Sequence, residues 1–228
     1  MKRTILIIED EGDIIELVKY NLEKEGFSVR SAEDGEKGLR VIKNLKPSLI
    51  LLDLMLPGID GLEVAKIIKK DDTLSHIPII MLTAKSSESD IIVGLEVGAD
   101  DYIVKPFSPK VLISRVKAIL RRYHAPQSQK RIKIDNLIID GIKHKISFSG
   151  KNITLTLTEF KLLEFMAQRP GMVLSRNKLL DGVFGYDSAV YDRTVDVHIK
   201  SLRQKLGKGK DLIETVRGIG YRFKEIEK

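Results

Sequence analysis

The chain contains no cysteine among its 228 residues, and it has no apolar run long enough to cross a bilayer. The first absence excludes disulfides, thiolate metal sites and cysteine nucleophiles, so the chain has no need of an oxidising compartment. A membrane-spanning helix needs about 18 apolar residues. The apolar run from Ile5 to Ile8 ends at once on three acidic residues, which is too short for a secretion signal. We therefore expect a soluble, cytoplasmic protein without a membrane partner.

The positive charge of the chain is concentrated in its second half. The formal net charge is +7. Residues 1–123 carry 19 basic and 20 acidic side chains, whereas residues 124–228 carry 20 basic and 12 acidic ones. This asymmetry indicates nucleic acid or another anionic surface as a partner of the second half alone. A solvated, lysine-rich surface is the alternative that charge by itself leaves open.

The first half alternates short segments rich in isoleucine, leucine and valine with amphipathic stretches of helical periodicity. The five predicted strands are TILIIED, FSVRSA, PSLILLDL, IPIIMLTA and DDYIVKPF. Several of them are apolar throughout, which is typical of a parallel sheet covered by helices on both faces. The pattern predicts a doubly wound, five-stranded α/β domain over residues 1–122.

The second half is built differently. Residues 123–131, YHAPQSQKR, are polar and lack periodicity, which indicates a linker. Residues 132–228 begin with alternating strands punctuated by Asp-Gly and Ser-Gly, a pattern typical of antiparallel hairpins. Three helices follow, of which the first is predicted to have its N-cap at Thr158 and the second at Ser175. Two closing strands flank the segment RGIG, which completes a predicted α+β domain.

Polar side chains follow four of the five predicted strands of the first half. They are Glu9, Asp10, Asp53, Thr83 and Lys105. Because ligands of open parallel sheets bind at the carboxyl ends of the strands, we expect these side chains to converge on one rim. Singly, a strand-end aspartate is usually a turn former and a lysine a solvated side chain. The combination at one edge favours a functional site.

Three neighbouring carboxylates raise one another's pKa unless a cation compensates them. Mg²⁺ suits such a site, because it accepts a few carboxylate oxygens and retains several waters. With a metal present, phosphate is the natural anion, and Asp53 can act as an oxygen nucleophile toward phosphorus. Lys105 would offset the charge of the transferring group, and Thr83 could donate a hydrogen bond to it.

The segments IIEDE, LLDLMLPGIDG, MLTA and GADDYIVKPF resemble, in order and spacing, the receiver domain of two-component response regulators. The resemblance spans residues 3–122 and implies a flavodoxin-like fold in which Asp53 accepts a phosphoryl group from a sensor histidine kinase. It implies a Mg²⁺ site made of Glu9, Asp10, Asp53 and the backbone carbonyl of Met55. It further implies that Lys105 contacts the phosphate and precedes a cis proline, and that Thr83 and Tyr102 are a switch pair moving inward on phosphorylation.

An enzyme is the alternative interpretation of the same rim. Phosphatases of the haloacid dehalogenase type also use an aspartate nucleophile, but they carry a second aspartate two positions later as general acid. In this chain that position is Met55. Without the acid a phosphoaspartate should persist, which suits a signal better than turnover. We therefore predict that the protein is not an enzyme.

The segment DRTVDVHIKSLRQKL is the candidate for DNA recognition. At about 100° per residue, one face carries the apolar stripe Val195, Ile199, Leu202 and Leu206. The candidate reading face opposite carries Arg193, Val197, Lys200, Ser201 and Gln204. Basic side chains can reach phosphates or guanine edges, and Val197 can meet a thymine methyl. A merely solvated amphipathic helix is the alternative that this segment alone leaves open.

Residues 132–224 resemble the winged helix-turn-helix effector domain of the OmpR/PhoB subfamily of response regulators. The segments LTLTEFKLLEFM, VLSRNKLL, DRTVDVHIKSLRQKL and ETVRGIGYRF carry this resemblance. It implies a transcription regulator whose third helix enters the major groove of double-stranded DNA, with Arg217 in the minor groove, Arg176 on phosphate and RNA polymerase as a further partner. The implied DNA contacts are Arg176, Arg193, Thr194, Val197, His198, Lys200, Ser201, Arg203, Gln204 and Arg217. Relatives often carry a basic residue at the position of Ser201 and a tryptophan at that of Phe184, so base preference and backbone contacts should differ.

The same subfamily forms symmetric dimers through the last receiver strand and the helices beside it. The resemblance implies two intersubunit ion pairs, Asp101 with Arg115 and Glu96 with Lys117. A further pair is absent, because Ile91 and Val111 occupy its positions. We expect a homodimer on activation that presents two effector domains to tandem half-sites. Because this face is more apolar, a regulator that dimerises without phosphorylation is the alternative.

Overall fold

The computed structural model describes residues 2–71, 73–84, 93–94, 97–124, 131–142, 144–184 and 193–225, without the side chains of residues 122–124, 184, 193 and 194. The chain divides into two compact units, Met1–Leu120 and Arg121–Lys228. Hydrophobic clusters of buried side chains lie within each unit. No helix of the described ranges combines the length and apolar character that crossing a membrane requires.

Five parallel strands form the sheet of the first unit, in the spatial order β2-β1-β3-β4-β5. They are β1 (Thr4–Ile8), β2 (Ser28–Ala32), β3 (Leu49–Asp53), β4 (Ile79–Thr83) and β5 (Asp101–Val104). All five strands predicted from the sequence are therefore present, and the predicted α/β class is confirmed. The strand order reverses at β1, which lies between β2 and β3, so the carboxyl ends of β1 and β3 flank the expected ligand crevice.

The helices of the first unit are α1 (Gly12–Lys24), α2 (Gly35–Leu45), α3 (Gly61–Lys70) and α4 (Pro109–His124). Asp34 and Asp60 cap α2 and α3, because their carboxylates accept backbone N–H groups at 2.7 and 2.8 Å. Helix α4 extends two residues into the segment predicted as a linker. Strands β3 and β4 are buried at every position, as expected for parallel strands covered on both faces.

The second unit begins with a four-stranded antiparallel sheet in the order β6-β7-β8-β9. Its strands are β6 (Arg131–Ile134), β7 (Leu137–Asp140), β8 (Lys145–Phe148) and β9 (Lys151–Ile153). Three helices follow, α5 (Leu157–Ala167), α6 (Arg176–Phe184) and α7 (Arg193–Leu206), and a 3-10 helix occupies Gly207–Leu212. The closing hairpin is made of β11 (Ile213–Val216) and β12 (Gly220–Phe223). This arrangement confirms the predicted α+β winged-helix domain.

Two features of the second unit differ from the sequence expectations. A short strand, β10 (Val173–Ser175), pairs with β12, so the closing hairpin belongs to a three-stranded sheet. The N-cap of α5 is Thr156 and not Thr158, because Glu159 at the third helical position completes a capping box with Thr156. The hydroxyl of Ser175 does cap α6, since it accepts the N–H of Lys178 at 3.1 Å.

Candidate functional site

The carboxyl ends of β1 and β3 place Glu9 and Asp53 side by side. Ile8 of β1 pairs with Leu52 of β3, so the next residue on each strand is one of these two acids. Together with Asp10, they offer one carboxylate oxygen each within 4.8 Å of one another. Glu9 and Asp53 are buried, whereas Asp10 is exposed. The structure therefore brings together the three acids that the sequence predicted to converge.

Lys105 supplies positive charge to these acids. Its Nζ donates to Asp53 Oδ2 at 2.7 Å and to Glu9 Oε1 at 2.9 Å. It also lies 3.3 Å from Oε1 of Glu11, an exposed acid that the sequence interpretation did not include. The N–H of Lys105 donates to the carbonyl of Thr83 at 2.7 Å. The peptide bond from Lys105 to Pro106 is cis, as the resemblance implied.

Burial and this ammonium group together set the ionisation of the cluster. Burial raises the pKa of Glu9 to about 7; the hydrogen bond from Lys105 opposes this rise, and the charge of Asp53 adds to it. Burial lowers the pKa of Lys105, but hydrogen bonds with Asp53 and Glu9 outweigh burial and raise this pKa to about 12. Lys105 is therefore charged at neutral pH.

The surroundings of Glu9 Oε2 show whether a cation would fit among the three carboxylates. Glu9 Oε2 is buried and accepts no hydrogen bond from the described residues, although Lys105 Nζ lies 2.8 Å away. The ammonium of Lys105 offsets the charge of this oxygen but makes no directed hydrogen bond to it, so the oxygen is available as a ligand. A hard divalent cation would use this oxygen as a ligand beside oxygens of Asp10 and Asp53, with the exposed Asp10 side open to the waters that Mg²⁺ retains. The donor set fits such a cation.

The loop after β3 folds back against the end of that strand. The N–H of Met55 donates to Asp53 Oδ1 at 3.0 Å, while the side chain of Met55 is largely exposed. A Cβ on Gly61, the first residue of α3, would lie 2.0 Å from the backbone oxygen of Asp53, so only glycine fits there. The start of α3 therefore holds the backbone of Asp53 in place. The carbonyl of Met55 as a metal ligand stays a prediction.

Thr83 and Tyr102 lie on neighbouring strands, and both are buried. Tyr102 of β5 pairs with Met81 of β4. A Cβ on Gly94 would lie 2.8 Å from Met81 Sδ and 3.4 Å from a ring carbon of Tyr102, so the tyrosine ring packs inward at this glycine. The switch role of Thr83 and Tyr102 stays a prediction.

The residues expected at the dimer face have partners within one chain. Arg115 Nη1 donates to both carboxylate oxygens of Asp101 at 2.8 Å, and both side chains are largely buried. Within one chain β5 and α4 already bring Asp101 and Arg115 together, and the pairing of these side chains between subunits stays a prediction. Lys117 pairs with Glu25 of the same chain. Glu96 and Ile91 lie outside the described residues.

Helix α7 buries the predicted apolar stripe completely, since Val195, Ile199, Leu202 and Leu206 are all at most 2% exposed. Lys200 and Gln204 are exposed, as a reading face requires. The DNA contacts of Val197 and His198 stay a prediction, although these two side chains are only 7% and 1% exposed. The physical reason for this burial is that α7 packs against α5, α6 and the 3-10 helix, which covers more of its surface than one stripe. The side chains of Arg193 and Thr194 lie outside the described residues.

Two other predicted DNA contacts make hydrogen bonds within the unit. Arg203 donates to the carbonyl of Ile213 at 2.7 Å and to Thr215 Oγ1 at 2.8 Å, which ties α7 to β11. Ser201 Oγ donates to Glu159 Oε1 at 2.6 Å. Both side chains are half-buried. Helical periodicity placed Ser201 on the outer face and the family resemblance implied a DNA contact for Arg203, but neither could reveal these partners.

Arg176 at the start of α6 is joined to α7 and to the closing hairpin through one carboxylate. Asp196 Oδ1 accepts from Arg176 Nε and from the hydroxyl of Tyr221, each at 2.8 Å. Burial, and after it the hydrogen bond to Asp196, raise the pKa of Tyr221 to about 12, so the hydroxyl keeps its proton. Arg217 is exposed in the turn between β11 and β12, where the predicted wing contact requires it.

The sequence interpretation missed two carboxylates that hydrogen-bond predicted DNA-contact residues. Glu159 carried a readable signal, because Thr156 and Glu159 have the spacing of a capping box. Asp196 carried none, since its partners Arg176 and Tyr221 are remote in sequence and meet it only in the folded domain.

Comparisons with known proteins match both units. Residues 5–117 match the response regulator receiver domain family, and residues 150–223 match the family described as transcriptional regulatory protein, C terminal. The phosphate regulon transcriptional regulatory protein PhoB of Pseudomonas aeruginosa is 47% identical over 222 residues, which cover 97% of each chain.

Two further relatives match along almost the whole chain. The alkaline phosphatase synthesis transcriptional regulatory protein PhoP of Bacillus subtilis is 42% identical, over 99% of this chain and 98% of its own. A solved structure of a RitR mutant superposes with a TM-score of 0.78 at 33% identity, over 98% of this chain and 100% of its own. With a receiver and a DNA-binding effector domain both matched, the chain belongs to the OmpR/PhoB-type response regulators, which are transcription factors of two-component systems.

Proposed function

We propose that Asp53 accepts a phosphoryl group from the phosphohistidine of a sensor histidine kinase, and that this phosphorylation activates DNA binding. The observation that carries the proposal is the 2.7 Å contact between Lys105 Nζ and Asp53 Oδ2, next to the carboxylates of Glu9 and Asp10. In the transfer a carboxylate oxygen of Asp53 bonds to phosphorus and the phosphorus–nitrogen bond of the donor breaks. The electron pair of that bond goes to the imidazole of the kinase, which takes up a proton.

Three groups around Asp53 assist the phosphoryl transfer in this proposal. Lys105, with its pKa of about 12, brings a permanent charge that turns from the free carboxylate to the phosphoryl oxygens of the product. The Thr83 hydroxyl donates a hydrogen bond to the same oxygens. Mg²⁺, held by Glu9, Asp10, Asp53 and the carbonyl of Met55, would offset charge on the transferring group.

Phosphorylation reaches the DNA through dimerisation in this proposal. Thr83 and Tyr102 respond to the phosphoryl group, and the receiver, residues 1–122, pairs with a second copy. The linker, residues 123–131, then lets two effector domains, residues 132–228, bind tandem half-sites, so that apparent affinity rises without new contacts to either half-site. Glu96, Asp101, Arg115 and Lys117 are the proposed interface, with Asp101 and Arg115 orienting one another within each subunit.

The proposed DNA surface follows from exposure and charge. Lys200 and Gln204 on α7 face solvent, Arg193 and Thr194 precede them on the same helix, and Arg217 lies in the wing turn. Arg176 would contact phosphate while its Nε stays on Asp196. Contact with RNA polymerase at the promoter and a cytoplasmic location complete the proposal.

The test is covalent labelling of the full chain. Wild type and Asp53→Ala are incubated with Mg²⁺ and acetyl phosphate, and bound phosphate is measured by intact mass. We expect one phosphoryl group on wild type and none on Asp53→Ala. Equal labelling of both proteins would contradict the assignment of Asp53.

A second candidate is a regulator that dimerises and binds DNA without phosphorylation. It is favoured by Val111, which is 46% exposed on α4 at the expected dimer face. In that case wild type is labelled, but its dimer mass and DNA affinity do not change on labelling.

A further inference from the structure

Glu159 is a buried carboxylate that makes more contacts than its place in the helix requires. It is 1% exposed and lies in the first turn of α5. Of the Glu159 carboxylate, the capping box needs only one hydrogen bond, from the N–H of Thr156 to Oε2, which is 2.8 Å long. The remaining acceptor capacity of the carboxylate goes to another helix.

That other helix is α7, the proposed reading helix. Ser201 Oγ donates to Glu159 Oε1 at 2.6 Å, and Lys205 Nζ donates to Oε2 at 2.7 Å and to Oε1 at 2.9 Å. Ser201 and Lys205 are four residues apart, so they lie one above the other on one face of α7. Glu159 therefore connects the last turns of α7 to the first turn of α5.

Apolar packing alone positions α7 less strictly than this connection does. The stripe from Val195 to Leu206 is held by the hydrophobic effect, which is non-directional and tolerates small rotations of a helix. Hydrogen bonds to Glu159 weaken steeply with a change of distance or angle. They consequently restrict the rotation and axial position of α7, which decide where Lys200 and Gln204 meet base edges.

The same contacts neutralise the positive charge of Lys205. The side chain of Lys205 is 36% exposed, yet its ammonium group lies on a buried carboxylate. An ammonium used in this way adds little to the attraction of phosphates. Lys200, five residues earlier on the same helix, is exposed.

We propose that Glu159 is the positioning residue of the DNA-reading helix: through Ser201 and Lys205 it sets the orientation of α7, and it withholds Lys205 from the DNA backbone. Ser201 then acts inside the domain and not as a base reader. The inference rests on the proposed DNA binding by α7 and adds to it a device that favours specific over non-specific DNA.

The test compares specific and non-specific affinity in Glu159→Gln. Glutamine preserves the shape and the capping box but removes the charge that holds Lys205. The probes are a duplex selected from a random library with the wild-type full chain, and poly(dI-dC). We expect affinity for the selected duplex to fall relative to poly(dI-dC) by about tenfold, within the discrimination of one bidentate base contact.

Salt dependence supplies a second readout. Release of Lys205 should add one phosphate contact, so the slope of log affinity for poly(dI-dC) against log salt should steepen by about 0.9. If part of the variant is unfolded, both apparent affinities fall by the same factor. The ratio of the two affinities and the salt slope then still report the folded molecules alone. An unchanged ratio and slope in Glu159→Gln would overturn the proposal.

A control variant and a second variant separate the causes. Asp135→Asn, at an exposed turn where φ is 47° and asparagine is tolerated, changes the net charge by the same unit and should leave the affinity ratio unchanged. If Glu159→Gln does not fold, Ser201→Ala removes only the hydroxyl contact and should lower the ratio without steepening the salt slope. An unchanged ratio in Ser201→Ala would then sink the proposal. Failure of wild type to select any duplex would instead contradict the proposed function.

Discussion

Lys105 Nζ and Asp53 Oδ2 are 2.7 Å apart at the carboxyl edge of the receiver sheet, although their residues are separated by 52 positions in sequence. The strands β3 and β5 create this contact by ending at the same edge. The side chain of Lys105 is 12% exposed and that of Asp53 is 4% exposed, so water screens the pair weakly. The contact places a fixed positive charge where the phosphoryl group would arrive.

Replacing this lysine should slow phosphorylation. In Lys105→Met the transferring group loses its ammonium partner, and we expect the rate of labelling by acetyl phosphate to fall about a hundredfold. Lys110→Met, which removes an exposed lysine five residues away, is the control and should label at the wild-type rate. Equal rates for the two variants would show that the contact has no part in the transfer.

Gly61 should be irreplaceable, because it begins α3 against the backbone of Asp53. An alanine Cβ would lie 2.0 Å from the Asp53 carbonyl oxygen and 2.8 Å from the Leu54 Cα, and backbone cannot move aside as a side chain tip can. We expect Gly61→Ala to lower the free energy of unfolding by about 3 kcal/mol and to slow labelling.

The matched control for this substitution is Gly12→Ala. A Cβ on Gly12 meets nothing within 4 Å. The variant should be neutral or more stable by up to about 1 kcal/mol, because alanine restricts the unfolded chain. Calorimetry of the full chain measures both, and a stable, normally labelled Gly61→Ala would be the contrary result.

Lys69 and Asp100 form a buried ion pair at the amino ends of β4 and β5. Lys69 Nζ lies 3.2 Å from Asp100 Oδ2 and also donates to the carbonyls of Ser75 and Ile77, and both charged side chains are at most 5% exposed. Lys69→Met removes the ammonium from a buried carboxylate, so we expect the receiver to lose about 3–5 kcal/mol in a urea titration.

An exposed pair on the same helix supplies the comparison. Lys66 and Glu63 lie 3.1 Å apart with about half of each side chain in solvent. Lys66→Met should change the free energy of unfolding by less than about 1 kcal/mol, because surface ion pairs contribute little. Similar losses of unfolding free energy in Lys66→Met and Lys69→Met would contradict the claim that burial makes the Lys69–Asp100 pair the more important one.

Tyr221 should stabilise the effector domain through its hydroxyl. Tyr221→Phe removes the donor to Asp196, and we expect a loss of about 1 kcal/mol, since Asp196 is 40% exposed and can recruit water. Tyr20→Phe, at an exposed tyrosine of α1, should have no effect. Thermal unfolding of both variants measures this. Equal melting temperatures for Tyr221→Phe and Tyr20→Phe would show that the Tyr221 hydroxyl does not stabilise the domain.

The sequence predicted backbone elements and the rim of the receiver better than it predicted side-chain partners. Apolar runs identify strands because parallel strands are buried on both faces, and parallel strands end together, so Glu9, Asp53 and Lys105 had to meet. Periodicity likewise identified the buried stripe of α7. It could not reveal that Val197 and His198 are also covered, because that depends on how neighbouring helices pack around α7.

Side-chain partners were predicted less well than backbone elements, because they depend on how the elements pack in the folded domain. The sequence could not reveal that Asp101 and Arg115 pair within one chain, because that contact depends on the spacing of β5 and α4. Thr156 and Thr158 both suit an N-cap, and Glu159 selects Thr156 through the three-residue spacing of the capping box. Arg203 turns to the carbonyl of Ile213, a contact that no local pattern encodes.

The most direct test of the central claim is DNA affinity before and after phosphorylation of one preparation. Wild type and Asp53→Ala are titrated onto the selected duplex with and without Mg²⁺ and acetyl phosphate, and the mass of each complex is measured. We expect tighter binding and a dimer mass for labelled wild type only. Affinity and mass that do not respond to labelling of Asp53 would contradict it.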